Sequence, residues 1–265
     1  QASAIGAGVI APGLICDIIS AVEPVLIPVG DFFSDETRLL ETRIAAAPST
    51  WLLQNPGCLS DGNFKWLADN FGKLEKMETE DTLRTVYDLL TEQAAKAPAG
   101  AGGVLFFPFL TGAMSPEWNP DARGMIAGLS LSHGRNHIMR AVLEGAAYAL
   151  RDIVERVRAC GLPIESIRIV GGGSRSRLME KIRADVTGTP ISHTSVPDTA
   201  PYGAALIAAV AEGRFSSIAE AVSSCVRVTH VHDPDPANKS LYDDMYSKYR
   251  LIYDRLKNDF STLWG

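Results

Sequence analysis

The stretch "IESIRIVGGGSRSRLMEKIRADVTG", Ile164 to Gly188, decides the fold. Its first seven residues are rich in β-branched side chains and read as a strand. Three glycines follow, Gly171, Gly172 and Gly173. Leu178 and Ile182 then fall four apart, the spacing of one helix face, and Gly188 suits a helix stop. Strand, tight turn and helix in this order form the repeating unit of an α/β domain. Two readings of the turn stay open. Glycine tolerates positive φ and has no Cβ, so the backbone can approach a ligand, and the N–H groups at a helix start favour anions. Alternatively, the turn only joins strand to helix, with Ser174 or Ser176 as the cap. Arg175 and Arg177 sit at the positive end of a helix dipole, an unfavourable place for cations unless an anion is met there. Neither GxGxxG nor GxxxxGK[ST] is present.

The same alternation continues on both sides. Downstream, "PISHTS" reads as a short strand and "PYGAALIAAVAEG" as a small-residue helix suited to close packing. Upstream, "GGVLFFPFL" is a buried strand, followed by a polar loop and the longest helix, about Ser132 to Cys160, ended by Gly161. Nearer the N-terminus, a short helix (Ala2 to Val9) precedes "DIISAVEPVLIPVG". Pro24 and Pro28 divide that run into two short strands or bend one. "STWLLQNPG" is another strand, and "SDGNFKWLADNFG" is a helix on Phe64, Leu67 and Phe71. "TEDTLRTVYDLLTEQAAKAP" is a helix on Leu83, Val86, Leu90 and Ala94. "THVHDPDP" carries His230, His232, Asp233 and Asp235, a pattern that can bind a metal; its prolines favour a turn between helices. His133 and His137, one turn apart, read as cap and surface residues. The last helix carries a stripe of Tyr242, Met245, Tyr249, Ile252 and Leu256 that packs on this domain or on a neighbouring one, the latter preferred. The sum is an α/β domain with a mixed sheet flanked by helices.

Composition excludes several classes. The chain has 265 residues, 46% apolar and 21% charged, a globular balance with room for a sizeable core. The net charge of −6, without a Lys/Arg block, argues against nucleic acid. No apolar run reaches membrane-span length. The four cysteines are scattered and form no CxxC pair, as expected of a reducing cytoplasm. No GxSxG elbow supports Ser/His/Asp catalysis.

Three segments carry a resemblance. "FFPFLTGAMSPEWNPDARGMIAGLSLSHGRNHIMRAVLEGAAYALRD" resembles the C-terminal-domain signature of the FGGY carbohydrate kinases. "GGGSRSRLMEKIRADVTGTPI" resembles their adenosine motif, and "YGAALIAAVAEGRF" the helix after it. The nearest look is to the pentulose, xylulose-type, kinases. The resemblance implies an RNase H-like, actin-like ATPase domain, with residues 1–265 as the C-terminal nucleotide-binding half. An N-terminal sugar-binding domain is then absent from this chain, and the helix at 236–264 is a candidate to pack on it. It implies ATP and Mg²⁺ as cofactors and phosphorylation of a sugar. A ketopentose such as xylulose or ribulose comes first, a polyol second. A homodimer is compatible with it.

The resemblance also nominates residues. Gly171, Gly172 and Gly173 fall beside the adenosine, and Ser174, Ser176 and Arg177 at its adenine and ribose edge. Asp61, Gly62 and Lys65 fall at a helix start that touches the nucleotide, although a solvated surface role suits Lys65 better. Gln1 falls where relatives touch the sugar, and the catalytic aspartate is expected immediately before it, so the fragment alone is expected to be inactive. Ser20 and Ala21 stand where a phosphate loop usually has Gly-Thr. Ala113 and Met114 stand where a charged pair is usual. Losing one hydrogen bond to a phosphate costs about 1.5–3 kcal/mol. The alternative reading is therefore a kinase-like nucleotide-binding or interaction protein with weakened catalysis.

Overall fold

The computed structural model describes residues 1–48, 50–57, 60–172 and 176–264. Helix α1 (Ala2–Gly6) leads into strand β1 (Gly13–Ile19) and β2 (Val25–Val29), which pair antiparallel. The divided reading of the proline-containing run is the observed one: the chain turns over residues 20–24. Pro28 lies within β2, beyond the stretch paired with β1 (Cys16 with Leu26, Asp17 with Val25), where the donor it lacks is not required. Strands β3 (Glu41–Ile44) and β4 (Trp51–Asn55) complete this side. β3 has no apolar alternation and its side chains are largely exposed, as suits an edge strand, with an Arg43–Glu41 ion pair along it.

Three helices follow: α2 (Ser60–Phe71), α3 (Lys73–Thr79) and α4 (Val86–Ala95). α4 starts later than its sequence pattern suggests. Thr85 Oγ1 accepts from the Asp88 N–H, and the Thr85 N–H donates to Asp88 Oδ2 at 2.7 Å, a capping box that leaves Leu83 outside the helix and fully exposed. β5 (Leu105–Phe107) is buried, as its composition requires. It pairs with β6 (Met125–Ala127), which lies between the polar loop and the long helix where no element is expected, in a separate two-stranded sheet. α5 (Arg135–Ala159) runs through the core. His133 Nδ1 accepts from the Ser130 N–H at 2.8 Å and His137 Nδ1 from the Gly134 N–H at 3.1 Å, so both serve the start of α5.

The second half gives β7 (Ile164–Gly171), α6 (Arg177–Thr187), β8 (Ile191–Thr194), α7 (Thr199–Ala211), α8 (Ile218–Cys225), β9 (Val228–His232), α9 (Lys239–Leu256) and α10 (Phe260–Trp264). "THVH" is thus the edge strand β9, not a turn between helices; its alternation of Val and His fits a pleat whose two faces meet different neighbours. Among the described residues a seven-stranded mixed sheet runs β3-β4-β2-β1-β7-β8-β9, with β1, β7 and β8 parallel. Side chains alternate across it. Ile15, Ile19, Ile27, Leu53, Ile167 and Ile169 face α2, α5, α6 and α9, while Cys16, Leu26, Leu52 and Val170 face α1. α7 and α8 pack outside α1 through Leu206, Ile218, Ala221 and Val222.

The preferred reading of the C-terminal stripe is corrected. Tyr242, Met245, Tyr249 and Tyr253 are buried in this domain's own core, and the Tyr249 ring stacks on Phe107 at 4.9 Å. Two acids of α5 anchor the helix. Tyr242 donates to Glu144 at 2.8 Å, and Asp152 accepts from Tyr246 at 2.8 Å and Arg250 at 3.1 Å. Burial outweighs the opposing pull of Arg250 and Tyr246 and pushes the Asp152 carboxyl up to about 6. A carboxyl that binds its proton more tightly when folded contributes stability below its unfolded value near 4 and loses it as pH rises through 6. The loss is about 3 kcal/mol at a conversion of ~1.4 kcal/mol per pKa unit. Asp152→Asn is expected to flatten the denaturation midpoint between pH 4 and 6; an unchanged slope refutes the assignment.

Candidate functional site

β1 and β7 run parallel and end level, with Ile19 opposite Gly171. Beyond that line the chain leaves the sheet in two directions: residues 20–24 turn back into β2, and the glycine loop leads into α6. The two glycines described there differ. Gly171 has φ +96°, and a Cβ on it would lie 2.3 Å from the Ile19 carbonyl oxygen, so strand packing alone requires glycine. Gly172 has no positive φ, and its Cβ would meet only Asp61 Oδ2, at 3.9 Å. Among the described residues nothing else lies within 4 Å of that Cβ position.

That space lies where two helices begin. α2 starts at Ser60, and the Asp61 N–H donates to the Ser20 carbonyl at 3.1 Å, tying the helix start to the β1–β2 turn. α6 starts at Arg177, with Ser176 as its N-cap accepting from the Met179 N–H at 3.4 Å. The structure thus brings Ser20, Asp61, Gly171 and Gly172 together, with Gly62 in the first turn of α2. Gly173 and Ser174 lie outside the described residues. The Ser20 hydroxyl donates to the Val22 carbonyl, and Ala21 offers no side-chain donor. Lys65 is exposed and pairs with Asp69 at 2.5 Å, the i,i+4 contact of a surface helix. Arg177 lines a cavity of about 380 Å³ between α6 and the β8–β9 edge. Gln1 lies apart from the loop, and its Nε2 donates to the Ile44 carbonyl at 2.7 Å.

A buried cluster beneath the loop is absent from the sequence reading. Arg183 of α6 is 1% exposed. It reaches Glu23 Oε2 at 2.9 Å, Ser60 Oγ at 3.0 Å and Asp17 Oδ2 at 3.3 Å. One guanidinium therefore joins β1, the β1–β2 turn, the start of α2 and the helix after the glycine loop. Burial first, and the charge of Glu23 second, push the Asp17 carboxyl well above the usual carboxylate range, against the pull of Arg183. The cluster left one trace: Asp17 is an acid inside the apolar run "LICDII", at a position whose neighbours two residues away face the core.

Comparison with known proteins agrees with this architecture. Residues 21–212 match the model of the "FGGY family of carbohydrate kinases, C-terminal domain". The chain is 30% identical over 212 residues to the xylulose kinase of Staphylococcus epidermidis, covering 80% of this chain and 41% of that protein. It is 29% identical over 223 residues to the gluconokinase of Bacillus licheniformis, with 83% and 43% covered. The crystal structure of xylulose kinase from Rhodospirillum rubrum superposes with a TM-score of 0.84 at 29% identity, over 98% of this chain and 50% of that one. The chain spans between 41% and 50% of the length of these relatives. Its mixed sheet between helical layers is the actin-like ATPase arrangement of their structures. By the extent of the match and by the fold, the chain belongs to the FGGY family of carbohydrate kinases and corresponds to the C-terminal domain.

Proposed function

We propose that this chain is the nucleotide-binding half of an ATP-dependent kinase that phosphorylates a sugar or polyol. The observation that carries the reading is the open backbone at Gly172, set between the starts of α2 and α6. A base or ribose can lie flat against a residue without Cβ, and the N–H groups of two helix starts favour the phosphates. MgATP is the phosphoryl donor in this reading. Phosphoryl transfer needs chiefly positioning and charge neutralisation, so a rigid cradle is the contribution expected of this half. The acceptor is a ketopentose such as xylulose or ribulose, in line with the names of the relatives, with a polyol as the other option. The sugar site and the base, an aspartate preceding Gln1, belong to an N-terminal partner domain and its junction with this one.

Gly172→Asp tests the cradle. An added Cβ meets no described atom closer than 3.9 Å and the backbone is not in the positive-φ region, so the variant is expected to melt with the parent. A carboxylate in the cleft is expected to weaken MgADP binding at least ~100-fold, about 2.7 kcal/mol by calorimetry. Equal affinity of parent and variant, or no binding by either, overturns the placement of the nucleotide.

One observation favours a second reading, a kinase-like protein with weak turnover: the Ser20 hydroxyl is committed to Val22, and Ala21 presents no donor. Sugar-dependent ATP consumption by the polypeptide carrying both domains, across a panel of ketoses and polyols, separates the two. Robust turnover excludes the weakened reading.

A further inference from the structure

Away from the glycine loop, side chains with metal-ligating atoms converge at the sheet edge. β9 pairs antiparallel with β8, and His193 stands directly opposite His230. His230 and His232 are two residues apart on one strand, so they share a face with His193. α6 covers that face and delivers Glu180. His193 Nε2 lies 3.1 Å from Glu180 Oε1, and His230 Nε2 lies 3.7 Å from Glu180 Oε2. One ligand atom from each of Glu180, His230 and His232 lies within 4.8 Å of the others.

The carboxylate is the second observation. Glu180 is 5% exposed, and its Oε2 makes no hydrogen bond. A buried anionic oxygen without a donor is costly, and a cation between it and the imidazoles removes that cost. The neighbouring cation of α6 does not serve it: Lys181 extends toward Asp185 and Asp235 at 3.9 and 3.6 Å. The cavity of about 380 Å³ that touches Glu180, His193 and His230 gives an ion a way in.

We propose that Glu180, His230 and His232, with His193 as a fourth donor, form a binding site for a divalent transition-metal cation of the zinc class. Imidazoles with one carboxylate suit zinc and its neighbours, whereas Mg²⁺ and Ca²⁺ call for oxygen donors. Zn–N and Zn–O bonds of ~2.0–2.2 Å place tetrahedral ligand atoms roughly 3.3 Å apart, so side-chain rotation on the exposed edge strand closes the site. The bound ion fastens β9, and with it the segment leading into α9, to the helix that follows the glycine loop. The ligand set shares no residue with the nucleotide candidates, although the cavity leading to it is also lined by Arg177, one of those candidates.

The test titrates Zn²⁺ into metal-stripped protein against a chromophoric chelator. One equivalent is expected to bind. His232→Ala is expected to weaken binding at least tenfold, and the His230→Ala/His232→Ala pair at least a hundredfold, with far-ultraviolet dichroism unchanged because both side chains lie on the open edge. Glu180→Gln keeps the shape of the buried side chain and is expected to weaken binding at least tenfold. Co²⁺ is expected to give a tetrahedral visible spectrum without a thiolate charge-transfer band. No stoichiometric binding at micromolar Zn²⁺ overturns the proposal. So does affinity unchanged in both His232→Ala and Glu180→Gln, or a thiolate band that disappears in Cys225→Ser.

Discussion

Arg183→Met is expected to cost the fold about 3–5 kcal/mol, the usual penalty for removing one partner of a buried ion pair. The side chain is almost wholly buried and balances two carboxyl groups, Glu23 at 2.9 Å and Asp17 at 3.3 Å. Methionine has similar length, so lost packing is a minor part of the effect. The larger part is the two acids left in a dry environment without a cation. Asp17, already raised by burial, loses the opposing pull of Arg183, so the variant is expected to regain stability relative to the parent as pH falls. Glu23→Gln in the variant background removes one of the stranded charges and is expected to recover more than half of the loss. Urea denaturation of the parent, the two single variants and the double variant closes the cycle. Additive effects would show that Arg183 and Glu23 are not coupled. Because the same guanidinium holds Ser60 at 3.0 Å, its loss also loosens the start of α2, and nucleotide binding is expected to weaken with stability.

Gly203→Ala is expected to destabilise by roughly 3 kcal/mol, although the same change in an open helix stabilises by up to about 1 kcal/mol. α1 and α7 cross at two glycines. A Cβ on Gly203 would stand 1.9 Å from the Ala2 carbonyl oxygen and 2.7 Å from the Gly6 nitrogen. A Cβ on Gly6 would stand 2.0 Å from the Thr199 carbonyl oxygen and 2.8 Å from the Gly203 nitrogen. All four neighbours are backbone atoms, so no side chain can yield and the helices must part by more than 1 Å. Calorimetric melting decides it: a midpoint equal to the parent's or higher would mean that the crossing is not close-packed.

The sequence was most legible where one period ran unbroken between strong punctuation. The strand, glycines and helix of residues 164–188, the small-residue α7 and the long α5 are of this kind. It was least legible where an element is exposed or short. β3 reads "ETRI" and buries almost nothing, α3 is mostly polar, and α8 and β9 lie in a stretch of serines, histidines and prolines. β6, just after the polar loop, is too short to show a period. α4 was misjudged at its start because the Thr85–Asp88 box overrides the apolar residue before it. The resemblance nominated Ser20, Asp61, Gly171 and Gly172, which lie near one another; no periodicity in the sequence joins them. The Arg183 cluster could not be read: its members come from four separate elements, and arginine in an amphipathic helix ordinarily marks the wet face.

The two-glycine crossing sets the order in which the chain can complete itself. α1 is made well before its partner α7, which ends at Ala211, and β1, in the middle of the sheet, waits for β7 about 150 residues later. At ~5–20 residues per second of synthesis, roughly 7–30 s separate those two strands. During that interval the β1–β4 half presents an open parallel edge at β1, and α1 has nothing to cross. The centre of this sheet therefore closes late on the ribosome, and Gly6 and Gly203, far apart in synthesis, act at the end of assembly.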